Sequence, residues 1–527
     1  MSRTTLFTVL MTASVAAPAA TFVVDTSSDG TLSGCNDAVA ADCTLRGAID
    51  RANANADSDT IAFALPTDDA GYQATTQHWR LAAGSSLPNI LQPLIIDGYT
   101  QPGALPNANP PRSPIAHTLK IELRGPNTAS DGLTAYAPLT VRGLVLNRWR
   151  RAIFQFNGGP NVVEGNYIGV DVSGQVAVPN GTGVTIGGDT RVGGLLPGQG
   201  NVISANRDYG LSTQYGLTRV RIHGNIIGAS ADLTAVPGRQ DFGMYLLDPR
   251  DTVIGGSDLA EGNTISGNDF SAIALSASTF QSTNGVPHAQ ILGNRIGVGR
   301  DDRAMGNGIG AHYPSILVGL GGYCRVVIGG EGPGEGNLVA HGGNAGVAIG
   351  SCWQAPILGN SFTGNRGIAI DLASSNGFDG PTPNDPADAD APGNDPTAAF
   401  GGNRFQNHPV LTLPPNFVAE GGGSSVALSY VVDSAPAHSS YPITVQFYRG
   451  GCKGGGRELI ATDTYGESDA RQSRNFQLDG DGNVLPLTLL AVDAAGNTSE
   501  FGPMVGDELF TDGLETEPAT FGPGRCD

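Results

Sequence analysis

The sequence predicts an all-β solenoid of stacked coils, and three observations carry that expectation. The first is a repeated string. A Gly-Asn pair followed by apolar residues returns at Asn166, Asn201, Asn225, Asn263, Asn294, Asn337 and Asn360. The second is what lies between the pairs: short β-branched runs such as Gly183-Val-Thr-Ile, Val220-Arg-Ile-His, Thr252-Val-Ile-Gly and Val326-Val-Ile-Gly. Runs this short, closed by Gly and Asn, read as strands between tight turns. The third is composition. Gly contributes 77 of 527 residues and charged residues only 15%, which suits a turn-dense β protein rather than a helical one.

The residue types at the turn have a physical reason. Asn tolerates the left-handed backbone of a sharp corner. Its amide both donates and accepts, so equivalent Asn residues in successive coils can bond to one another up the stack. Gly beside it removes a Cβ clash. The pairs fall into two interleaved series, Asn166, Asn225, Asn294 and Asn201, Asn263, Asn337, each recurring at roughly 60 to 75 residues, so the repeating unit holds more than one coil. A sandwich or propeller with Asn-Gly hairpins is the alternative, but its hairpins have no reason to repeat one string.

The elements follow in order. Residues 1–19 read as a secretory signal: Arg3, an apolar core from Leu6 to Ala17, then the small residues Ala17-Pro18-Ala19. Residues 20–65 read as a cap. Phe22-Val-Val-Asp is a strand. In Cys43 to Asn53, Leu45, Ala48, Ile49 and Ala52 fall at helical spacing, with Thr44 as N-cap and Gly47 as a weak point. A helix across an open solenoid end hides core and unpaired strand edge. Residues 66–411 are the solenoid, in which the Pro-rich Ala104 to Ile115 is a surface excursion. Residues 412–424, rich in Pro and Gly, read as a linker. In 425–506 the strands become longer and alternate, which predicts a small immunoglobulin-like β-sandwich, with Asp479-Gly-Asp-Gly482 as a hairpin turn. Residues 507–527 form an acidic tail.

Cys43-Thr-Leu-Arg-Gly-Ala-Ile, then Ala52-Asn53 and Asp59-Thr-Ile, resembles the "CSLREA" N-terminal module of secreted bacterial right-handed parallel β-helix proteins, with Thr44 and Gly47 in place of Ser and Glu. Ile95-Ile-Asp-Gly-Tyr-Thr-Gln-Pro-Gly103, Val141-Arg-Gly-Leu-Val-Leu-Asn147 and Val162-Val-Glu-Gly-Asn-Tyr-Ile-Gly169 look like the first coils of the same proteins. The resemblance implies a right-handed parallel β-helix of the pectate-lyase-like kind and export from the cell. It implies no particular reaction. Ala491 to Glu500 similarly resembles the last hairpin of immunoglobulin-like modules on bacterial surface proteins.

Net charge narrows the partners. At −20 the chain is a poor match for nucleic acid or anionic membranes. After the signal no run of about 18 apolar residues follows, so no membrane span is expected, and a monomer is. With export, the six Cys read as disulfides: Cys35 with Cys43, and Cys324 with Cys352 in neighbouring coils, Cys452 and Cys526 being left open. Asp379, Asp385, Asp388 and Asp390, spaced by Gly and Pro, could ligate Ca2+ or form a solvated acidic loop.

Chemistry has several possible seats. Tyr245, Asp248, Arg250 and Asp251 cluster within one coil and its turn, and would suit a uronate lyase; the same residues read as turn chemistry. Arg300 to Arg303 is a charged corner. Arg219, Arg221 and His223 alternate on one strand and share a face. Trp149, Arg150, Tyr313 and Trp353 could contact sugars, or pack. No carboxylate pair recurs at a spacing that forces a hydrolase site. Two functions are carried forward. One is an exported protein with a structural or binding role toward polysaccharide or cell-surface glycan. The other is a polysaccharide-active enzyme, a lyase before a hydrolase. Converging carboxylates and Arg in one cleft would favour the enzyme; a flat aromatic face would favour the binder.

Overall fold

The computed structural model describes residues 19–505 except 37, 127–128, 157–158, 214–216, 277–288, 320–321, 324, 351, 374–379, 390–400, 421–422, 452–454 and 480–483. The expected signal up to Pro18, the acidic tail, Asp379, Asp390, Cys324, Cys452 and Cys526 therefore lie outside the described residues.

The solenoid is a right-handed parallel β-helix built from three long sheets. Sheet one has eleven strands, from Thr21–Val24 to Ile357–Leu358; sheet two has eleven, from Tyr72–Gln73 to Ser361–Thr363; sheet three has nine, from Leu133–Ala135 to Ile370–Leu372. Pairing is parallel throughout except where Tyr72–Gln73 meets His78–Ala82. Each full coil gives one strand to each sheet. Within a strand alternate side chains point inward, so Val163, Ile168 and Val184 meet in one coil, and all three are fully buried. Stacking repeats that layer, and the core is continuous along the axis.

Sheets one and two meet at the Gly-Asn corner, and the amide ladder expected there is present. Asn166, Asn201, Asn225, Asn263, Asn294, Asn337 and Asn360 each donate Nδ2 to the Oδ1 of the next, at 2.9–3.1 Å. Each Oδ1 also accepts the backbone N–H of the preceding Asn. Successive Asn residues belong to successive coils, so one series spans two.

The two series need Gly for different reasons. Gly165, Gly224 and Gly293 have φ of 66°, 64° and 61°, the left-handed region. Gly200, Gly262 and Gly336 lie against the next coil, where a Cβ would come within 2.3, 2.3 and 2.1 Å of the carbonyl oxygens of Gly224, Gly293 and Gly359.

The N-terminal cap is closed by the Cys35–Cys43 disulfide. The helix Leu45–Asn53 starts where Thr44 accepts the Gly47 N–H. Gly47 is required rather than merely tolerated: a Cβ there would sit 1.9 Å from the carbonyl oxygen of Leu32.

At the other end stand two three-stranded antiparallel sheets, Val410–Glu420, Gly423–Val431 and Arg474–Asp479 against Glu458–Tyr465, Ile443–Arg449 and Leu487–Val492. Val426, Leu428, Val445, Phe447 and Leu489 fill the space between them. The stretch 412–424 is not a linker. It forms most of the hairpin between Val410–Glu420 and Gly423–Val431. Its prolines, Pro414 and Pro415, fall at the register break between Leu413 and Asn416, where no ladder N–H is required of them. The expected turn at 479–482 falls largely on residues outside those described; the flanking strands Arg474–Asp479 and Leu487–Val492 lie in different sheets and do not pair with each other.

The sandwich plugs the open end of the helix. Tyr448, Leu490 and Phe501 join the solenoid core. The last strand of every sheet gives an amide to it: Ile357 to Thr498 Oγ1 at 2.8 Å, Phe362 to the Gly456 carbonyl at 2.9 Å, and Leu372 to Glu500 Oε1 at 3.0 Å.

Candidate functional site

The three outer faces of the helix differ. The outside of sheet two is covered. The 98–119 segment lies along it as a strap, held by Ile115 N–H on the Ala231 carbonyl and Arg112 on the Gly293 carbonyl, both 2.8 Å. Ile115, Leu119, Tyr167, Leu233 and Met305 form a second small core beneath it. His117 pins the strap. Its Nε2 donates to the Gly200 carbonyl at 2.9 Å and its Nδ1 accepts the Asn107 N–H, while burial pushes the imidazole down to about 4.

The outside of sheet one is charged and internally paired. Arg142 bonds Asp97 at 2.7 Å, Arg191 bonds Glu164 at 2.8 Å, Arg221 bonds Asp251 at 2.9 Å and Arg219 bonds Asp189 at 3.3 Å. The alternating Arg219 and Arg221 expected on one face are engaged there. On the sheet two side, Glu122 is buried, which would raise its pKa, but hydrogen bonds from His78, Asn147 and Arg80 outweigh burial and hold the carboxyl near 2. That carboxylate is a fixed structural anion.

Sheet three is the open face. Leu211, Met244 and Ile273 pack inward, so the residues that follow them, Ser212, Tyr245 and Ala274, face the other way. At the strand starts Thr182, Tyr209 and Phe242 stand in register, and the half-buried rings of Tyr209 and Phe242 lie against Tyr245. The result is an aromatic ridge along the helix axis. Ring centroids are 5.8 Å apart for Tyr209–Phe242, 5.1 Å for Phe242–Phe270 and 4.9 Å for Phe270–Tyr313. The first two pairs stack, while Tyr313 turns edge-on. Tyr245 flanks the row, 5.4 Å from Tyr209 and 5.5 Å from Phe242. All five rings are half-buried. A smaller set stands on earlier coils of the same face: Arg151 lies 3.6 Å over Phe154, and Tyr136 and Phe156, both exposed, pack at 5.4 Å.

A second amide ladder positions the ridge. Asn180, Asn206, Gln240, Asn268 and Asn307 bond in sequence at 2.8–3.1 Å. Asp208-Tyr209, Asp241-Phe242 and Asp269-Phe270 follow it closely in successive coils. Backbone bonds lock them in step, Phe242 N–H to the Asp208 carbonyl at 3.0 Å and Phe270 N–H to the Asp241 carbonyl at 2.7 Å. Three carboxylates thus run beside the rings. Arg239 bridges Asp241 at 2.7 Å and Asp269 at 3.4 Å. Burial pushes the Asp269 carboxyl up against the pull of Arg239, with Asp241 adding to the rise.

Of the residues singled out in the sequence, Tyr245 and Tyr313 belong to this ridge. Asp248, Arg250 and Asp251 turn the corner away from it: Asp248 and Asp251 have φ of 44° and 48°, and Arg250 lies in the sheet one strand Pro249–Gly255. The expected grouping with Tyr245 is therefore split between two sheets. Asp301 and Asp302 likewise have left-handed φ of 53° and 58°, the turn chemistry of a corner. Trp149 and Trp353 are 1% and 3% exposed, so neither ring offers a face to a sugar. Trp149 fills core and donates Nε1 to the Leu123 carbonyl at 3.1 Å. Arg150 and Arg151 both grip Asp131.

Asp388 is buried at the sandwich junction. It accepts from Ser439, Ser434, Gln406 and the Asn407 N–H at 2.7–3.0 Å, and burial still pushes it up to about 6. Asp385 accepts the Ala389 N–H at 2.8 Å. Among the described residues no three His, Cys, Asp or Glu side chains group so as to hold a metal ion. Cys352 is disulfide-bonded, to a residue outside those described. No described helix is long and apolar enough to cross a membrane.

Tyr209, Phe242, Phe270 and their Asp partners were not singled out in the sequence. The signal was there, an Asp-aromatic pair following an amide residue three times, but it is shorter than the Gly-Asn string. Comparison with protein-family models finds no match, and comparison with curated proteins finds none either.

Proposed function

We propose that the chain is an exported β-helix protein whose role is binding, with the aromatic ridge of sheet three as the surface that contacts polysaccharide or cell-surface glycan. The ridge carries this reading. Five half-buried rings in four consecutive coils form a long, partly apolar strip on a broad face that the strap leaves open. Three of the rings, Tyr209, Tyr245 and Tyr313, pair an apolar body with a polar tip, which suits a ligand that is itself amphipathic. Export accords with the Cys35–Cys43 disulfide, since such bonds persist outside the reducing cytosol. The resemblance of the 43–61 segment to secreted β-helix proteins points the same way.

The splitting of Tyr245 from Asp248 and Arg250 weighs against a lyase centre there. The enzyme reading keeps one supporting observation, the Asp241 and Asp269 carboxylates beside the rings, with Asp269 raised. One experiment separates the two. The purified chain is applied to a glycan array, and in parallel incubated with acidic and neutral polysaccharides, with calcium and with chelator, while unsaturated products and reducing ends are followed. Retention without turnover, lost in Phe242→Ala and Tyr245→Ala, is the expected result. Turnover on any polymer would replace binding with catalysis, and calcium dependence would bring the acidic 379–390 segment into the account.

A further inference from the structure

The ridge has a charge as well as a shape. Asp208, Asp241 and Asp269 keep step with Tyr209, Phe242 and Phe270, one carboxylate and one ring per coil. The cations in the same row are Arg207 and Arg239, and Arg239 is shared between Asp241 and Asp269. Asp208 is exposed and makes no ion pair among the described residues. Three carboxylates against two guanidinium groups leave the strip negative, in a chain of net charge −20. Aromatic rings add to the preference, because their faces attract cations.

We infer that the ridge takes a linear glycan carrying protonated amines, a polymer of amino sugars. This rests on the binding role proposed above. Sugar rings lie along the aromatic strip while their ammonium groups donate charge-assisted hydrogen bonds to the Asp row. The step between coils is about 4.8 Å, so the strip from Tyr209 to Tyr313 runs about 14 Å and holds several sugar units in line. A polyuronate would set carboxylates against carboxylates and is disfavoured. A Lys-rich peptide also carries amines, but the ridge repeats evenly from coil to coil, which suits a chain with an equally even repeat.

The test is calorimetric titration of the full chain, at mildly acidic pH, with hexamers of glucosamine, N-acetylglucosamine, galacturonate and lysine. The glucosamine hexamer is expected to bind at least about tenfold tighter than its acetylated counterpart at low salt, with the margin shrinking as salt is raised. Combined Asp208→Asn, Asp241→Asn and Asp269→Asn should remove that margin and leave the acetylated hexamer unchanged. Phe242→Ala should weaken both; Tyr245→Ala repeats the test at a neighbouring ring, and melting curves check that each variant is folded. Equal affinity for the two hexamers, preference for galacturonate, or tighter binding of the lysine hexamer overturns the inference while leaving a binding face. Absence of all glycan binding overturns both.

Discussion

Asn263 shows how much one ladder residue carries. Its Nδ2 donates to Asn294 Oδ1 and to the Ile222 carbonyl, and its Oδ1 accepts both the side chain and backbone N–H of Asn225. All of these groups are buried, so Asn263→Ala strands donors and acceptors rather than removing one weak bond. We expect a loss of about 3 kcal/mol, read as a shift in the urea midpoint. Glu500 sets a pH limit. It is buried at the junction and pushed up to about 7, although it accepts from Leu372, Thr382 N–H and Thr382 Oγ1. An acid whose folded pKa lies above its unfolded value disfavours the folded state once it ionises. Its contribution is therefore complete below about pH 4.5 and is lost as pH rises toward about 7. Denaturation across that window should show falling stability, by up to about 3 kcal/mol for this group, and Glu500→Gln should flatten the fall. Asp388, raised to about 6, steepens the same limb, and Glu122, held near 2, gives an opposite loss as pH falls from about 4.5 toward 2.

Elements follow from whether their reason is local or distant. The Gly-Asn corner is local: positive φ, amide pairing and a following apolar residue leave a string that can be read, and the first ladder was legible for that reason. The second ladder sits where loops of unequal length return to sheet three, and only three of its members, Asn206, Gln240 and Asn268, precede an Asp-aromatic pair, a pattern weaker than the Gly-Asn string. The aromatic ridge depends on that ladder and is hidden with it; only Tyr245 and Tyr313 stand out in the sequence. Trp149, which could contact sugars or pack, packs: it sits in the turn between Leu144–Asn147 and Arg151–Gln155, with its ring in the core and its Nε1 on the Leu123 carbonyl. Gly47 makes the same point within the cap helix. Propensity alone predicts that Gly47→Ala gains about 1 kcal/mol. The Leu32 carbonyl, 1.9 Å from the new Cβ, reverses the sign, and we expect a net loss of about 1–3 kcal/mol in thermal or chemical denaturation.

At the scale of the molecule, the sequence indicated a cap at the front of the solenoid and a sandwich behind it, but not that the sandwich closes the rear. That contact is made by residues such as Thr498 and Glu500, more than a hundred positions from their partners Ile357 and Leu372, and no local pattern marks it. Its consequence is physical. Without the sandwich all three sheets end in unpaired amides over an open apolar core, the arrangement that promotes edge-to-edge association. A chain ending at residue 409 is expected to aggregate at concentrations where the full chain stays dispersed, as measured by light scattering. With both ends closed, one face strapped and another ion-paired, the ridge of sheet three is the broad surface left for a ligand. Amide hydrogen exchange of the full chain, with and without saturating glucosamine hexamer, tests that claim most directly. Protection should gather on 207–213, 239–247 and 269–276. Protection centred on sheet one or along the strap, with the ridge unchanged, would contradict it.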